Sequence, residues 1–385
     1  MGKGVINMFF LKKKILKTIF RIASYPTIEE SGRGLHCYNI SDLQDYKVIY
    51  LTWFKKNAKP FNIPANVTLY TGNFYTKENP KKGNIFKRIA FHFLRLYRII
   101  TFSIFAIYLI LKHKVDIVHI HSPMFVLVSF FAKKIKKINV ITFHGADFFR
   151  IENSLWYRFF AKIFDLVYSI SPRYLNKLNE IHDCEVVQIY NGINTNIYKN
   201  LNMKRKKQIL AVANFKPQKG LVFLMHGFKD FISENKLNRE YKLIIAGKGI
   251  LFNEIDSMID KLNLRENVKL VGQKNRAELI SLYNSSEVFI LSSLWEGFAK
   301  VLLEAMACGC KVISTNVDSA PLLLEQWGYT INHSDSDEIY NTLKKIINDD
   351  KYPFDLQKKS ISKFTWDYVR KVYVSNLNSK IYAKY

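Results

Sequence analysis

The chain has little cysteine, too few acidic residues to balance its basic ones, and no long apolar run. Only four Cys occur in 385 residues, at Cys37, Cys184, Cys308 and Cys310. They are too few for a disulfide framework, and Cys308 and Cys310 stand two apart, which is neither CxxC nor a zinc spacing. A reducing cytoplasm is the simpler reading. Asp+Glu number 32 against 58 Lys+Arg, so the formal net charge is +26. That imbalance calls for an acidic partner or surface: nucleic acid, anionic lipid or a phosphorylated ligand. The longest uncharged apolar run, IITFSIFAIYLIL at 99–111, is 13 residues, short of the roughly 20 that cross a bilayer. The opening MGKGVINMFFLKKKILKTIF sets Lys12, Lys13 and Lys14 inside its apolar part, so no secretory signal is expected. Ile6 breaks the myristoylation pattern.

What is present is ordinary globular usage, 48% hydrophobic and 23% charged, which excludes a disordered or collagen-like chain. At roughly 150 residues per domain, the length suggests two to three domains. Residues 1–200 hold 30 Lys+Arg and 12 Asp+Glu, net +18, and residues 201–385 hold 28 and 20, net +8. The anionic partner is therefore expected at the N-terminal half. Segment 85–114, with Arg88, Arg95, Arg98, Lys112 and Lys114 around the apolar run, reads first as a packed helix of the first domain. The alternative is a helix on the membrane surface.

Short runs rich in Val, Ile, Tyr and Phe alternate with longer amphipathic stretches. Strands are expected at 17–24, 47–53, 67–71, 116–121, 139–144, 166–171 and 185–190, with helices at 85–113, 124–137 and 154–164. Several strands are continuously apolar, as in a buried parallel sheet. The polar, basic segment 195–207 reads as a linker. A second series follows at 208–215, 241–247, 267–272, 287–292 and 311–315, and 364–385 closes the chain with one or two helices. The expected architecture is α/β: two Rossmann-like doubly wound domains facing each other across a cleft. Ligands in such sheets bind beyond the carboxyl ends of the strands.

The stretch SSLWEGFAKVLLEAMACGCKVIST, 292–315, carries the most information. A strand ends near Ser292, and a helix runs to about Cys308 with Gly309 as its stop. That helix is apolar nearly all round yet carries Glu304, and a buried carboxylate must be paired or hydrogen-bonded. Vicinal hydroxyls of a ribose would satisfy it, with Gly297 leaving backbone N–H groups for an anion. An internal Arg or Lys would serve Glu304 equally well, with Glu296 merely favouring the helix N-terminus. Asp335-Ser336-Asp337 stands before a helix at 337–348, where Asp and Ser are N-caps rather than metal ligands. His119 and His121 have no third ligand at a recognisable spacing. Gly247-Lys248-Gly249 lacks the rest of a nucleotide fingerprint.

The spacing of Glu296 and Glu304 within E-G-F-x5-E-A-M-A-x-G resembles the signature of retaining glycosyltransferases of family 4, which have the GT-B fold. Other segments follow in that family's order: GADF after FH at 143–148, YNGINTNIY at 190–198, FKPQKG at 215–220 and LIIAGKG at 243–249. The resemblance implies that Glu304 binds the ribose of a nucleotide-sugar, UDP- or GDP-type. Glu296 then contacts the sugar, with the Gly297 and Phe298 backbone beside it and the diphosphate. Lys219 neutralises the diphosphate, and His144 stands across the cleft at the reacting centre. Gly32 and Gly34 of SGRG, in the loop after the first strand, let the backbone approach the donor. One departure is that the family's Gly-Arg before the Lys-Gly turn is here Ala213-Asn214, so Lys216 is a candidate replacement for the missing charge. Three parts are expected: an acceptor-side domain at 1–198, a nucleotide-sugar domain at 199–365, and a closing helix at 366–385. The implied partners are the donor, a glycan or lipid-linked oligosaccharide acceptor and an anionic membrane surface, with no cofactor or metal. The implied place is the inner face of the cell membrane. The alternatives are a nucleotide-sugar epimerase or another GT-B enzyme, and a basic nucleic-acid-binding protein. A phosphorylase would need a pyridoxal-phosphate Lys, which no segment suggests. No helix-turn-helix, zinc or RNP motif supports nucleic-acid binding.

Overall fold

A computed structural model of the protein describes residues 17–23, 32–53, 63–72, 85–325, 327–332 and 335–383. The basic opening with Lys12, Lys13 and Lys14, and Ser31 of SGRG, lie outside the described residues.

The first half forms seven parallel strands: β1 (Lys17–Ile22), β2 (Tyr46–Trp53), β3 (Val67–Gly72), β4 (Ile117–Ile120), β5 (Ile138–Phe143), β6 (Leu166–Ser169) and β7 (Val186–Gln188). Their order, β3-β2-β1-β4-β5-β6-β7, reverses direction at β1 and β4, as in doubly wound sheets. Every residue of β4, β5 and β6 is buried, which is why these strands are mostly apolar in sequence, with His119, Asn139, Thr142 and Ser169 as buried polar exceptions. Helices α1 (Gly32–Asn39), α2 (Ile85–Lys112), α3 (Val126–Lys134), α4 (Phe148–Ile151), α5 (Leu155–Ala161) and α6 (Leu175–Ile181) connect them. One face of the sheet packs on α2, α3, α5 and α6. The other face packs on α1 and the last helix.

The second sheet has six parallel strands: β8 (Lys206–Val212), β9 (Lys242–Ala246), β10 (Val268–Gly272), β11 (Ser286–Leu291), β12 (Lys311–Thr315) and β13 (Tyr329–Ile331). Their order is β10-β9-β8-β11-β12-β13, the same winding with its switch between β8 and β11. Helices α7 (Leu221–Glu234), α8 (Phe252–Lys261), α9 (Arg276–Ser285), α10 (Lys300–Ala307), α11 (Ala320–Leu324), α12 (Ser336–Ile347) and α13 (Phe354–Ser362) cover it. The starts of α9 and α12 carry the side-chain caps their sequences offer. Asn275 and Glu278 form a capping box, and Asp335 Oδ1 accepts from the Glu338 N–H at 3.0 Å. The edge strand β13 and helices α1 and α6 were not anticipated, and β8 begins inside the expected linker.

The last helix, α14 (Trp366–Tyr382), returns to the first sheet. Its stripe Trp366, Val369, Tyr373, Leu377 and Ile381 packs on Ile19, Val48, Val140 and Leu166, at helical spacing of three to four. Both chain crossings between the halves lie side by side. The Ile193 N–H donates to Phe364 O at 2.8 Å, and the Trp366 N–H donates to Ile193 O at 3.3 Å.

Leu377 is fully buried in this seam. Leu377→Ala is expected to destabilise the chain by about 2–5 kcal/mol, read as a lower urea midpoint with an unchanged slope. A surface-like loss below about 0.5 kcal/mol would contradict the packing.

Candidate active site

The site is built from loops at the carboxyl ends of both sheets, one wall from each. On the second-sheet wall, β8 is followed by residues 213–216, a tight turn at Pro217–Lys219 and then α7. Gly220 ends the turn at φ +60°, and a Cβ there would lie 2.0 Å from Ser292 O, so only glycine fits. This close approach presses Lys219 against the loop after β11. Its Nζ lies 2.5 Å from Glu296 Oε1, with the two side chains only 15% and 12% exposed. Ser293 Oγ donates to the same oxygen at 2.7 Å.

The loop carrying Glu296 is held from beneath by the segment after β12. Asp318 Oδ2 accepts from the Glu296 N–H at 2.8 Å, and Ser319 Oγ accepts from the Ala299 N–H at 2.8 Å. Asp318 holds this position at φ +44°, a left-handed conformation costly for a non-glycine residue. Burial raises the pKa of its carboxyl, while the hydrogen bond from Glu296 lowers it. With residues 292–299 fixed this way, α10 starts at Lys300 rather than at Gly297.

A cavity of about 270 Å³ opens here, lined by Asn214, Lys219, Lys248, Glu296, Phe298 and Lys300 among others. It brings together Lys219, Glu296 and Phe298. Lys216 is exposed and outside the lining, while Asn214 is part of it. Lys248, which the sequence offered only within a Gly-Lys-Gly that lacks the rest of a nucleotide fingerprint, lines the cavity too, as do Lys274 and Lys300, which were not singled out. Lys300 had a signal, since it stands four residues before Glu304 on one helix face.

Glu304 lies behind this cavity and is buried. Its Oε2 accepts from Tyr283 Oη at 3.0 Å, and its Oε1 lies 3.4 Å from Lys300 Nζ. The nearby Tyr198 hydroxyl has a raised pKa, first through burial and then through the Glu304 charge. The internal cation allowed by the sequence is thus present. Lys300 is also the partner on the cavity side, so its movement would free an oxygen for a ligand's hydroxyls.

The first-sheet wall carries His144, directly after β5, at the start of a turn spanning Gly145–Asp147. Arg33 Nη2 reaches Asp147 Oδ2 at 2.6 Å, and the His144 N–H reaches the same oxygen at 3.3 Å. Gly32 and Gly34 are not in a loop as expected. They form the first turn of α1, where Arg33 between them is the side chain that joins the His144 segment. The sequence reading weighed the glycines and passed over the arginine.

His144 is also the end of a buried chain of donors. Arg21 Nη1 lies 3.0 Å from His121 Nε2, and His121 Nδ1 lies 3.2 Å from His144 Nε2. A guanidinium can only donate. His121 Nε2 is therefore the acceptor, its Nδ1–H donates to His144 Nε2, and neutral His144 keeps its proton on Nδ1. Arg21 is fully buried and also donates to Tyr373 Oη at 3.2 Å and Ile40 O at 3.3 Å. Cys37, His121 and His144 bring their ligand atoms within 4.8 Å of one another, a third partner that spacing could not reveal. The donor set does not suit a cation. The His121 nitrogen facing the cluster carries the proton, burial pushes the Cys37 thiol up to about 12, and Arg21 is already at hand.

The two walls meet at Gly145 and Gly297. A Cβ on Gly145 would lie 3.3 Å from Gly297 Cα. His144 and Glu296, each one residue earlier, therefore stand on facing walls with no side chain between their neighbours.

Burial lowers the pKa of His36 to about 3 and those of His119, His121 and His144 well below the usual 6.5, with nearby cationic groups adding to the shift. The folded state keeps all four neutral, while the unfolded chain takes up protons as pH falls through 6.5. Stability is therefore full above that pH and lost below it, at about 1.4 kcal/mol per histidine per pH unit. A clearly lower urea midpoint at pH 5.5 than at pH 7.5 is expected; equal midpoints would contradict the neutral cluster.

Residues 193–363 match the family described as glycosyl transferases group 1, and residues 65–197 match glycosyltransferase family 4. An uncharacterized glycosyltransferase of Methanocaldococcus jannaschii is 28% identical over 274 residues, 67% of this chain and 75% of that one. The N-acetylgalactosamine-N,N'-diacetylbacillosaminyl-diphospho-undecaprenol 4-alpha-N-acetylgalactosaminyltransferase of Campylobacter jejuni is 30% identical over 199 residues. That alignment spans about half of each chain, 49% and 48%. The solved structure of Anabaena Alr3699/HepE in complex with UDP and glucose superposes with a TM-score of 0.68 at 16% identity, over 94% of this chain and 100% of that one. With matches spanning both sheets and the same two-domain fold, the chain belongs to glycosyltransferase family 4 and is a glycosyltransferase of the GT-B fold.

Proposed function

We propose that the protein transfers a sugar, with retention of anomeric configuration, from a UDP- or GDP-sugar to a lipid-linked acceptor during assembly of a cell-surface glycan. The observation that carries the reading is the Lys219–Glu296 ion pair in a cavity beyond β8 and β11, facing His144 across Gly145 and Gly297. A diphosphate entering beside Lys219 would take over its ammonium as a charge partner. Glu296 would then be released toward the sugar hydroxyls. The start of α7 lies next to Lys219 without a side-chain cap, so its first N–H groups add to the anion's stabilisation. Together these groups serve a departing diphosphate without a metal.

Retention fits this inventory. Glu296 is engaged by Lys219 and Ser293, and Glu304 lies behind the cavity, so among the described residues no two carboxylates flank a sugar site as acid and nucleophile. The leaving diphosphate then accepts the acceptor's proton on the face it departs from, and the protein's work is positioning and electrostatics. A Campylobacter relative named for a diphospho-undecaprenol substrate and a structural neighbour holding UDP support the two substrate classes. The net charge of +18 over residues 1–200 suits the anionic inner face of the cell membrane.

Thermal shift and calorimetry with a panel of UDP- and GDP-sugars test the reading. A donor should raise the melting temperature, and binding should be undiminished in chelator. Glu304→Gln should weaken nucleotide binding by about 1.5–3 kcal/mol. Undiminished affinity in that variant would give Glu304 to Tyr283 and Lys300 alone. Loss of turnover in chelator, restored by manganese, would contradict the metal-free site.

A further inference from the structure

Helices α2, α3 and α5 lie side by side over one face of the first sheet. Their inner sides are ordinary core: Phe102, Ala106, Leu109 and Ile110 of α2 are buried against it. Their outer sides are apolar as well. On α2, Phe93 is 70% exposed, Tyr97 64% and Ile104 61%, along one stripe of the helix. On α5, Leu155 is 83% exposed and Phe159 76%, with Trp156 beside them. Phe130 of α3 meets Phe160 of α5 edge-to-face at 5.6 Å, and Phe160 contacts Trp156 at 4.9 Å, so α3 and α5 form one continuous surface. A soluble chain does not leave so many large apolar side chains together in water without a partner.

We propose that this three-helix face inserts into an anionic lipid bilayer, lying in the interface rather than spanning it. Charge decides the occupant. The three helices contain no Asp or Glu, while α2 carries Arg88, Arg95, Arg98 and Lys112, Arg88 and Arg95 on the side of the helix away from the apolar stripe, and α5 carries Arg158. Aromatic and aliphatic side chains accompanied by cations match the boundary between acyl chains and anionic headgroups. A second copy of this face would set cations against cations with no carboxylate to pair them. Residues 88–112 are long and apolar enough to cross a membrane, but spanning would pull Phe102, Ala106, Leu109 and Ile110 out of the first-sheet core in which they are buried.

Position gives the surface a use, which rests on the proposed lipid-linked acceptor. The chain runs from His144 through α4 directly into α5, so a bilayer under α5 would present a lipid-borne acceptor near the His144 wall. The exposed apolar face also changes what the basic charge alone implied. Attraction to anionic headgroups is screened by salt, but insertion of apolar side chains is not.

Co-sedimentation of the full chain with phosphatidylglycerol-containing and pure phosphatidylcholine vesicles, at low and high salt, tests this. Capture by the anionic vesicles should survive high salt in part, with a blue shift of tryptophan emission that Trp156→Phe removes. The pairs Phe93→Ser with Ile104→Ser, and Leu155→Ser with Phe159→Ser, should each lower partitioning at least tenfold. Because these side chains are exposed, melting temperature and UDP binding should be unchanged. No capture, complete release by salt, or capture indifferent to both pairs would overturn the inference. So would self-association of the wild-type chain that the same pairs abolish. Vesicle capture without any nucleotide-sugar binding would leave this surface standing and defeat the proposed transfer instead.

Discussion

Everything at this site depends on how closely two backbones approach at Gly145 and Gly297, where neither residue has a side chain to hold the walls apart. Parallel sheets send the carboxyl ends of their strands, and the loops that follow, to one side. Two such sheets joined by paired crossings at Ile193 and Phe364–Trp366 can then face those loops at each other. The close approach turns two incomplete half-sites into one. The second sheet offers an ion pair and a cavity, and the first offers an imidazole whose proton position is fixed.

The electrostatics on the two walls differ in kind. The Lys219–Glu296 pair is a charge interaction near solvent, ready to be rearranged by an anion of higher charge. The first-sheet wall holds neutral rings in a dry environment and a buried arginine that only donates. The low-dielectric surroundings make that hydrogen-bond chain strong, and the donor-only guanidinium of Arg21 sets its direction. Asp318 and Ser319 grip the backbone on either side of Gly297, so the loop that presents Glu296 is rigid before any ligand arrives.

Much of this was legible in the sequence, and the misses have physical reasons. The buried strands announced themselves because both faces are covered and most of their residues are apolar. The eight-residue step from Glu296 to Glu304 pointed to the second wall, and in the structure a loop and the first turn of α10 separate the two. Helix α1 was hidden because GRGLHCYN opens with two glycines and has no clear apolar period, and β13 was too short to read. The gathering of Cys37, His121 and His144 could not be seen, because tertiary packing alone brings Cys37 to two histidines far along the chain, on the ends of neighbouring strands. Segment 85–114 was read as either a packed or a membrane-surface helix. Its inner side packs on the sheet and its outer side is left open, a division that composition cannot make because both sides are apolar.

The central claim is that donor binding belongs to the second wall, and transfer to the meeting of both. Gly145→Val separates the two most directly, because it adds bulk at the contact without touching the cavity. Calorimetry with UDP, alongside release of nucleotide from the donor in the presence of acceptor extract, reads both properties on one variant. The account predicts UDP affinity close to that of the unmodified protein, with transfer reduced by at least a hundredfold, as expected when reacting groups are misplaced by about an ångström. Undiminished transfer, or loss of UDP binding in a variant that still folds, would contradict it.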